Sequence, residues 1–179
     1  MEAFGKTDYL PPTMMKRTFL IRRPLMAAVV AAGLLVSVNA SAHGLNCVQF
    51  VQQASRLPLH GDAWQWWDAA AADQLGRGSA PKPGSVMVFS KTHLLQHGHV
   101  ALVRAVKNSR SILVDHANWS PIQGHRGQIE RSVEVVDVSP NNDWSRVRVW
   151  YHPTGEIGQT VYPVKGFVYP GRTLPHHGH

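Results

Sequence analysis

Residues 81–106 read PKPGSVMVFSKTHLLQHGHVALVRAV, and the change of pattern inside them decides the fold class. Pro81-Lys82-Pro83-Gly84 is made of residues that set turn dihedrals, so it predicts a chain reversal. The residues after it fall into short β-branched or apolar runs between polar breaks. Ser85–Ser90 and His99–Val106 therefore read as strands. Ser111–Asn118, Val133–Val138, Arg146–Tyr151 and Gly166–Tyr169 continue in the same manner, and Arg146–Tyr151 alternates plainly.

Upstream of the turn the spacing is helical. In NCVQFVQQAS, residues 46–55, Val48, Val51 and Ala54 recur at helical steps with Phe50 beside them. Asn46 is a good N-cap, which places Cys47 in the first turn, and Leu57-Pro58 ends the segment. A second helix is expected over Ala63–Leu75, closed by Gly76 and Gly78. Trp64, Trp67, Ala70 and Ala71 would form its buried face, leaving Trp66 off that face and exposed. Helices first and strands afterwards predict an α+β domain, with N-terminal helices packed on one side of an antiparallel β-sheet.

The chain has 179 residues and a formal net charge of +7. Lys16, Arg17, Arg22 and Arg23 precede an apolar run from Leu25 to Val38, which ends in Ala40-Ser41-Ala42. That order reads as a cleaved signal peptide over residues 1–42, and the run is shorter than the ~20 residues a membrane span needs. An uncleaved anchor is the alternative. Residues 1–13 fit no part of a leader, so translation could start at Met14 or Met15. Cleavage would remove five basic and two acidic residues, leaving a net charge of +4 on one domain, residues 43–171, followed by a loose histidine-rich tail, 172–179. A modest positive field suits an anionic polymer such as a cell wall. No zinc-finger spacing, arginine-rich helix or aromatic-basic sheet motif points to nucleic acid. No metal motif accompanies the histidines, and no cofactor is expected. The expected protein is periplasmic or secreted, a monomer, and free of stable membrane association after cleavage.

Cys47 is the only cysteine, so it cannot form an internal disulfide in an exported domain that would ordinarily use pairs. A thiol becomes a strong nucleophile as thiolate, and a helix start or a neighbouring imidazolium lowers its pKa. His99 is the candidate partner: it opens a strand directly after Gly98, and alternation puts His99, Ala101 and Val103 on one face. A third polar group should fix the imidazole tautomer. In ILVDHANW, residues 112–119, Ile112, Val114, His116 and Asn118 share a face while Asp115 looks the other way. His116 or Asn118 can point toward His99, and spacing does not choose between them. Trp119, next to Asn118, is the candidate for lining a substrate cleft.

Taken in order, CVQFVQQAS, GDAWQWWDAA, PKPGSVMVF, HGHVALV and DHANW resemble the CHAP domain (cysteine, histidine-dependent amidohydrolase/peptidase) of bacterial cell-wall hydrolases, over residues 45–151. The resemblance implies a papain-like fold, Cys47 as nucleophile and His99 as base, and peptidoglycan as the substrate. The bond would be the N-acetylmuramoyl–L-alanine amide or a peptide bond of the stem or crossbridge. Many members place an acidic residue two positions before an asparagine. Here Asn118 matches the asparagine and His116 stands in the acidic place, leaving the orienting role to His116, Asn118 or Asp115. The contrasting reading is a non-catalytic wall-binding or scaffolding domain that retains the fold.

Overall fold

The computed structural model describes residues 44–172; the expected signal peptide over residues 1–42 and nearly all of the expected tail fall outside the described residues. Helix α1 spans Cys47–Ser55 and starts where the Asn46 cap predicts. The Asn46 side chain accepts the Gln49 N–H at 2.8 Å, and the Gln49 side chain accepts the Asn46 N–H at 3.1 Å. This reciprocal box satisfies two of the donors a helix start leaves free. Arg56, in the left-handed region at φ 57°, ends the helix.

The second helical segment departs from its expected phase. Ala63–Gln65 is a 3-10 turn, and α2 covers only Trp66–Ala72. The tighter turn rotates the chain, so that Ala63, Trp66 and Ala70 face inward. Trp66 is completely buried, whereas Trp64 and Trp67 are half-exposed, the reverse of the sequence expectation. Leu75, read as the helix end, instead opens a strand.

Eight antiparallel strands follow among the described residues: β1 Leu75–Gly78, β2 Val86–Phe89, β3 His99–Asn108, β4 Ser111–Ala117, β5 Ile129–Asp137, β6 Arg146–Tyr151, β7 Glu156–Ile157 and β8 Tyr162–Arg172. Their order is β1-β8-β2-β3-β4-β5-β6-β7, and β8 also pairs with β6 through Tyr162↔Val147 and Pro163↔Arg146. The strands from β2 to β6 are thereby closed into a barrel by β8. The fold is α+β with few helices and a large antiparallel sheet closed on itself. Strands β1 and β7 were not expected. Gly76 and Gly78 make β1 a poor strand by composition; pairing with β8 forms it, and the glycines leave room for the Tyr169 ring.

The closed sheet has two cores. Met87, Phe89, Ala101, Val103, Ile112, Val114, Val135 and Phe167 fill the barrel. Val86, Val88, Val100, Leu102 and Val168 face outward and pack with Phe50, Val51, Leu59 and Trp66. Strand β2 is therefore buried on both faces, which explains its unbroken apolar run, VMVF. Each such fully buried Val, Met or Phe contributes about 1.5–3 kcal/mol relative to exposure.

Candidate active site

The site lies where the start of α1 meets the start of β3. Gly98, just before β3, lets the 3-10 turn approach closely: its φ is +68°, and a Cβ there would sit 2.6 Å from the Trp64 backbone nitrogen. The Trp64 N–H donates to the His97 carbonyl at 3.3 Å, tying the 3-10 turn to the residues just before His99. Cys47, the first residue of α1, is half-buried. Burial pushes its thiol above the ordinary range, and N–H groups of Val100, Val48 and Cys47 itself oppose that rise without reversing it. The sulfur thus lies against the backbone of Val100, the residue after His99.

His99 is 3 % exposed, and its Nε2 is 3.1 Å from Nδ1 of the fully buried His116. Burial lowers the His99 pKa well below the usual histidine value, and His116 and the Arg126 guanidinium lower it further. Burial takes His116 down to about 3, against a small raising effect of Asp115. Both rings are neutral at pH 7. If His99 holds its proton on Nε2, His116 accepts it at Nδ1 and keeps its own proton on Nε2. The Nδ1 edge of His99 is then left free to act as a base. The shifts of Cys47 and His99 together favour a resting thiol–imidazole pair, in contrast to the thiolate that the helix-start position suggested: desolvation outweighs the helix field here.

Asp115 points away from this pair. Its carboxylate takes Arg104 Nε at 2.7 Å, Arg131 NH1 at 3.1 Å and the Ser132 N–H at 2.8 Å. Burial raises its pKa, but the Ser132 N–H and the two guanidiniums outweigh burial and hold it below the usual value. Asn118 follows the end of β4 at φ 63°, and its backbone N–H donates to Gln128 O at 3.1 Å. The left-handed turn breaks the alternation that would have continued from His116. The Asn118 side chain lines the cleft and makes no hydrogen bond to His99. Trp119 is buried to 6 % exposure, its ring 4.8 Å from His99, 5.5 Å from and stacked on His116, and 4.9 Å from Tyr162. It forms an apolar wall behind the imidazoles as well as part of the cleft lining.

The cleft has a volume of about 970 Å³. Cys47, His99, Asn118 and Trp119 line it, together with residues of the β6–β7 hairpin and Tyr162; His116 is not in the lining and contacts His99 from behind it. Arg126 also lines it and was missed by the sequence reading. It lies in a loop without periodicity, QGHRGQ, where the only cue is a cation flanked by glycines.

The family model of the CHAP domain matches residues 36–118. The match contains Cys47, His99, His116 and Asn118, meeting the resemblance that the motifs carry; Trp119 and Arg126 fall beyond it. The family is in general one of amidases and peptidases acting on peptidoglycan. No curated protein matches the chain.

Proposed function

We propose that the chain is a cysteine hydrolase that cleaves amide bonds of peptidoglycan through Cys47 and His99. The observation that carries this reading is the sulfur seated at the backbone of Val100, in one cleft with His99, whose far nitrogen is engaged by His116. A merely structural cysteine needs neither the cleft nor the backed imidazole.

In the proposed cycle His99 Nδ1 takes the thiol proton as the sulfur adds to the scissile carbonyl. The resulting oxyanion is stabilised by the backbone N–H of Cys47 at the start of α1, which turns from the sulfur to the oxygen as the C–S bond forms. The C–N bond breaks as the imidazolium gives its proton to the leaving amine, and a thioester remains. Water then adds while His99 takes its proton. The C–S bond breaks, the sulfur regains a proton and a carboxylic acid departs. His116 holds the ring throughout as a neutral acceptor. A papain-like relationship of the fold accords with this division of labour. On this reading the mature chain works outside the cytoplasm, periplasmic or secreted, as a monomer without nucleic-acid partners.

Both the N-acetylmuramoyl–L-alanine amide and a stem or crossbridge peptide bond fit the mechanism. Digestion of purified sacculi followed by mass spectrometry separates them. Free stem peptides with an L-alanine amine beside peptide-free glycan mark an amidase, and shortened peptides still on muramic acid mark an endopeptidase. Sacculi left intact by the native chain, or cleared equally fast by Cys47→Ala, would refute the hydrolase.

A further inference from the structure

Arg126 is the one lysine or arginine among the residues that line the cleft. Its NH1 donates to the Trp119 carbonyl, one of five guanidinium donors. No carboxylate lies within ion-pair distance of it among the described residues. Of the cleft's own acids, Asp62 takes His97 at 3.1 Å, and Glu156 on β7 makes no ion pair with Arg126.

The loop that presents Arg126 is closed on itself. Asn118 N–H donates to Gln128 O at 3.1 Å, and Ile122 and His125 exchange backbone bonds of 2.9 and 3.0 Å. Gln128 Nε2 donates to Ser120 O at 2.9 Å and to His125 O at 3.0 Å. The next residue, Gly127, presses on Gly44, three positions before Cys47; a Cβ on either glycine would lie 2.5 Å from the other's Cα. The loop that carries Arg126 is therefore packed against the segment that leads into the nucleophile, and the guanidinium itself is held by the Trp119 carbonyl.

We infer that Arg126 is the specificity-determining residue of the cleft, receiving a free peptide carboxylate of the substrate close to the scissile amide. The identity of that substrate rests on the hydrolase reading; the carboxylate requirement rests on the loop. A planar fork with unspent donors at the edge of an apolar cleft suits a carboxylate better than the neutral carboxamide of an amidated stem. The charge also acts on His99 and Tyr162, so an anion seated on Arg126 removes a field that opposes the imidazolium formed during turnover. Carboxylate binding thereby favours proton transfer as well as affinity.

The test uses binding, so it does not depend on turnover. Three stem peptides are titrated calorimetrically into Cys47→Ala protein: one with every carboxylate amidated, one with only the glutamyl α-carboxylate free, and one with only the C-terminal carboxylate free. At least one free-carboxylate peptide should bind roughly 10-fold or more tightly than the amidated one, and that peptide names the carboxylate. Adding Arg126→Gln should bring the ratio to within about 2-fold, while Arg126→Lys, which keeps the charge without the fork, retains part of it. Equal binding of all three peptides, binding of none, or an equal loss of all three in Arg126→Gln overturns the inference. Discrimination in binding by a chain that leaves sacculi uncut sinks the hydrolase reading and leaves the carboxylate site standing.

Discussion

His99 Nε2 and His116 Nδ1 are 3.1 Å apart, so the imidazole in the cleft is backed by a second, fully buried imidazole instead of a carboxylate. A neutral acceptor fixes the tautomer but adds no charge to stabilise an imidazolium. His116→Ala should lower kcat by about 100-fold with little change in KM, the lower end of what general acid–base catalysis contributes, because the base itself remains. His116→Asn, which keeps an acceptor, should recover part of the loss. Equal losses in both variants, with KM rising in step, would remove the orienting role.

The thiol shift has its own signature. Burial raises the Cys47 pKa and lowers that of His99, so the resting chain contains little thiolate at neutral pH. Alkylation of Cys47 by iodoacetamide should climb with pH beyond the ordinary thiol range, with no plateau between pH 6 and 8. A plateau there would mean that the ion pair exists before substrate arrives.

Acid should unfold the chain early. In the folded state the pKa of His116 is about 3, against about 6.5 when exposed, so the unfolded chain binds the extra proton between those values. Stability from this residue is present above pH 6.5 and is lost as pH falls toward 3. His116 Nε2, buried without a partner among the described residues, gives a new charge no acceptor. Between pH 7 and 4.5 the loss should be about 2–3 kcal/mol. Urea midpoints at the two pH values measure it, and His116→Gln should flatten the difference by about that amount.

Asp115 should prove structural. Asp115→Asn leaves Arg104 and Arg131 without their shared anion and weakens the hold on Ser132, whose φ is +53°. A loss of about 1–3 kcal/mol in stability is expected, with kcat unchanged under conditions where the chain stays folded. A fall in kcat greater than 10-fold without unfolding would return Asp115 to the site.

Helix α1 was legible because its cap, its apolar spacing and its proline stop all agree, and β2, β3, β4 and β6 because their runs are bounded by turn residues. The Trp64–Trp67 phase failed because a 3-10 turn shifts every following side chain and leaves no mark in apolar spacing. Closure of the sheet was illegible for another reason: Val147 and Tyr162 pair across a register that only the finished barrel defines. Within the site, His116 could be placed on the correct face by alternation, but the choice between it and Asn118 turned on one left-handed residue at the strand end. Arg126 lies in a loop whose position depends on two glycines far apart in sequence.

Strand β8 carries β2 on one edge and both β6 and β1 on the other, yet it is the last strand in chain order among the described residues. A chain that stops before residue 162 keeps the β3–β4 pairing that joins the two imidazoles but lacks the strand that links β2 to β6. Loss of β8 would open the barrel and expose the Met87 and Phe89 face it covers, so a clipped C-terminus costs the frame under the site before it costs any reacting group.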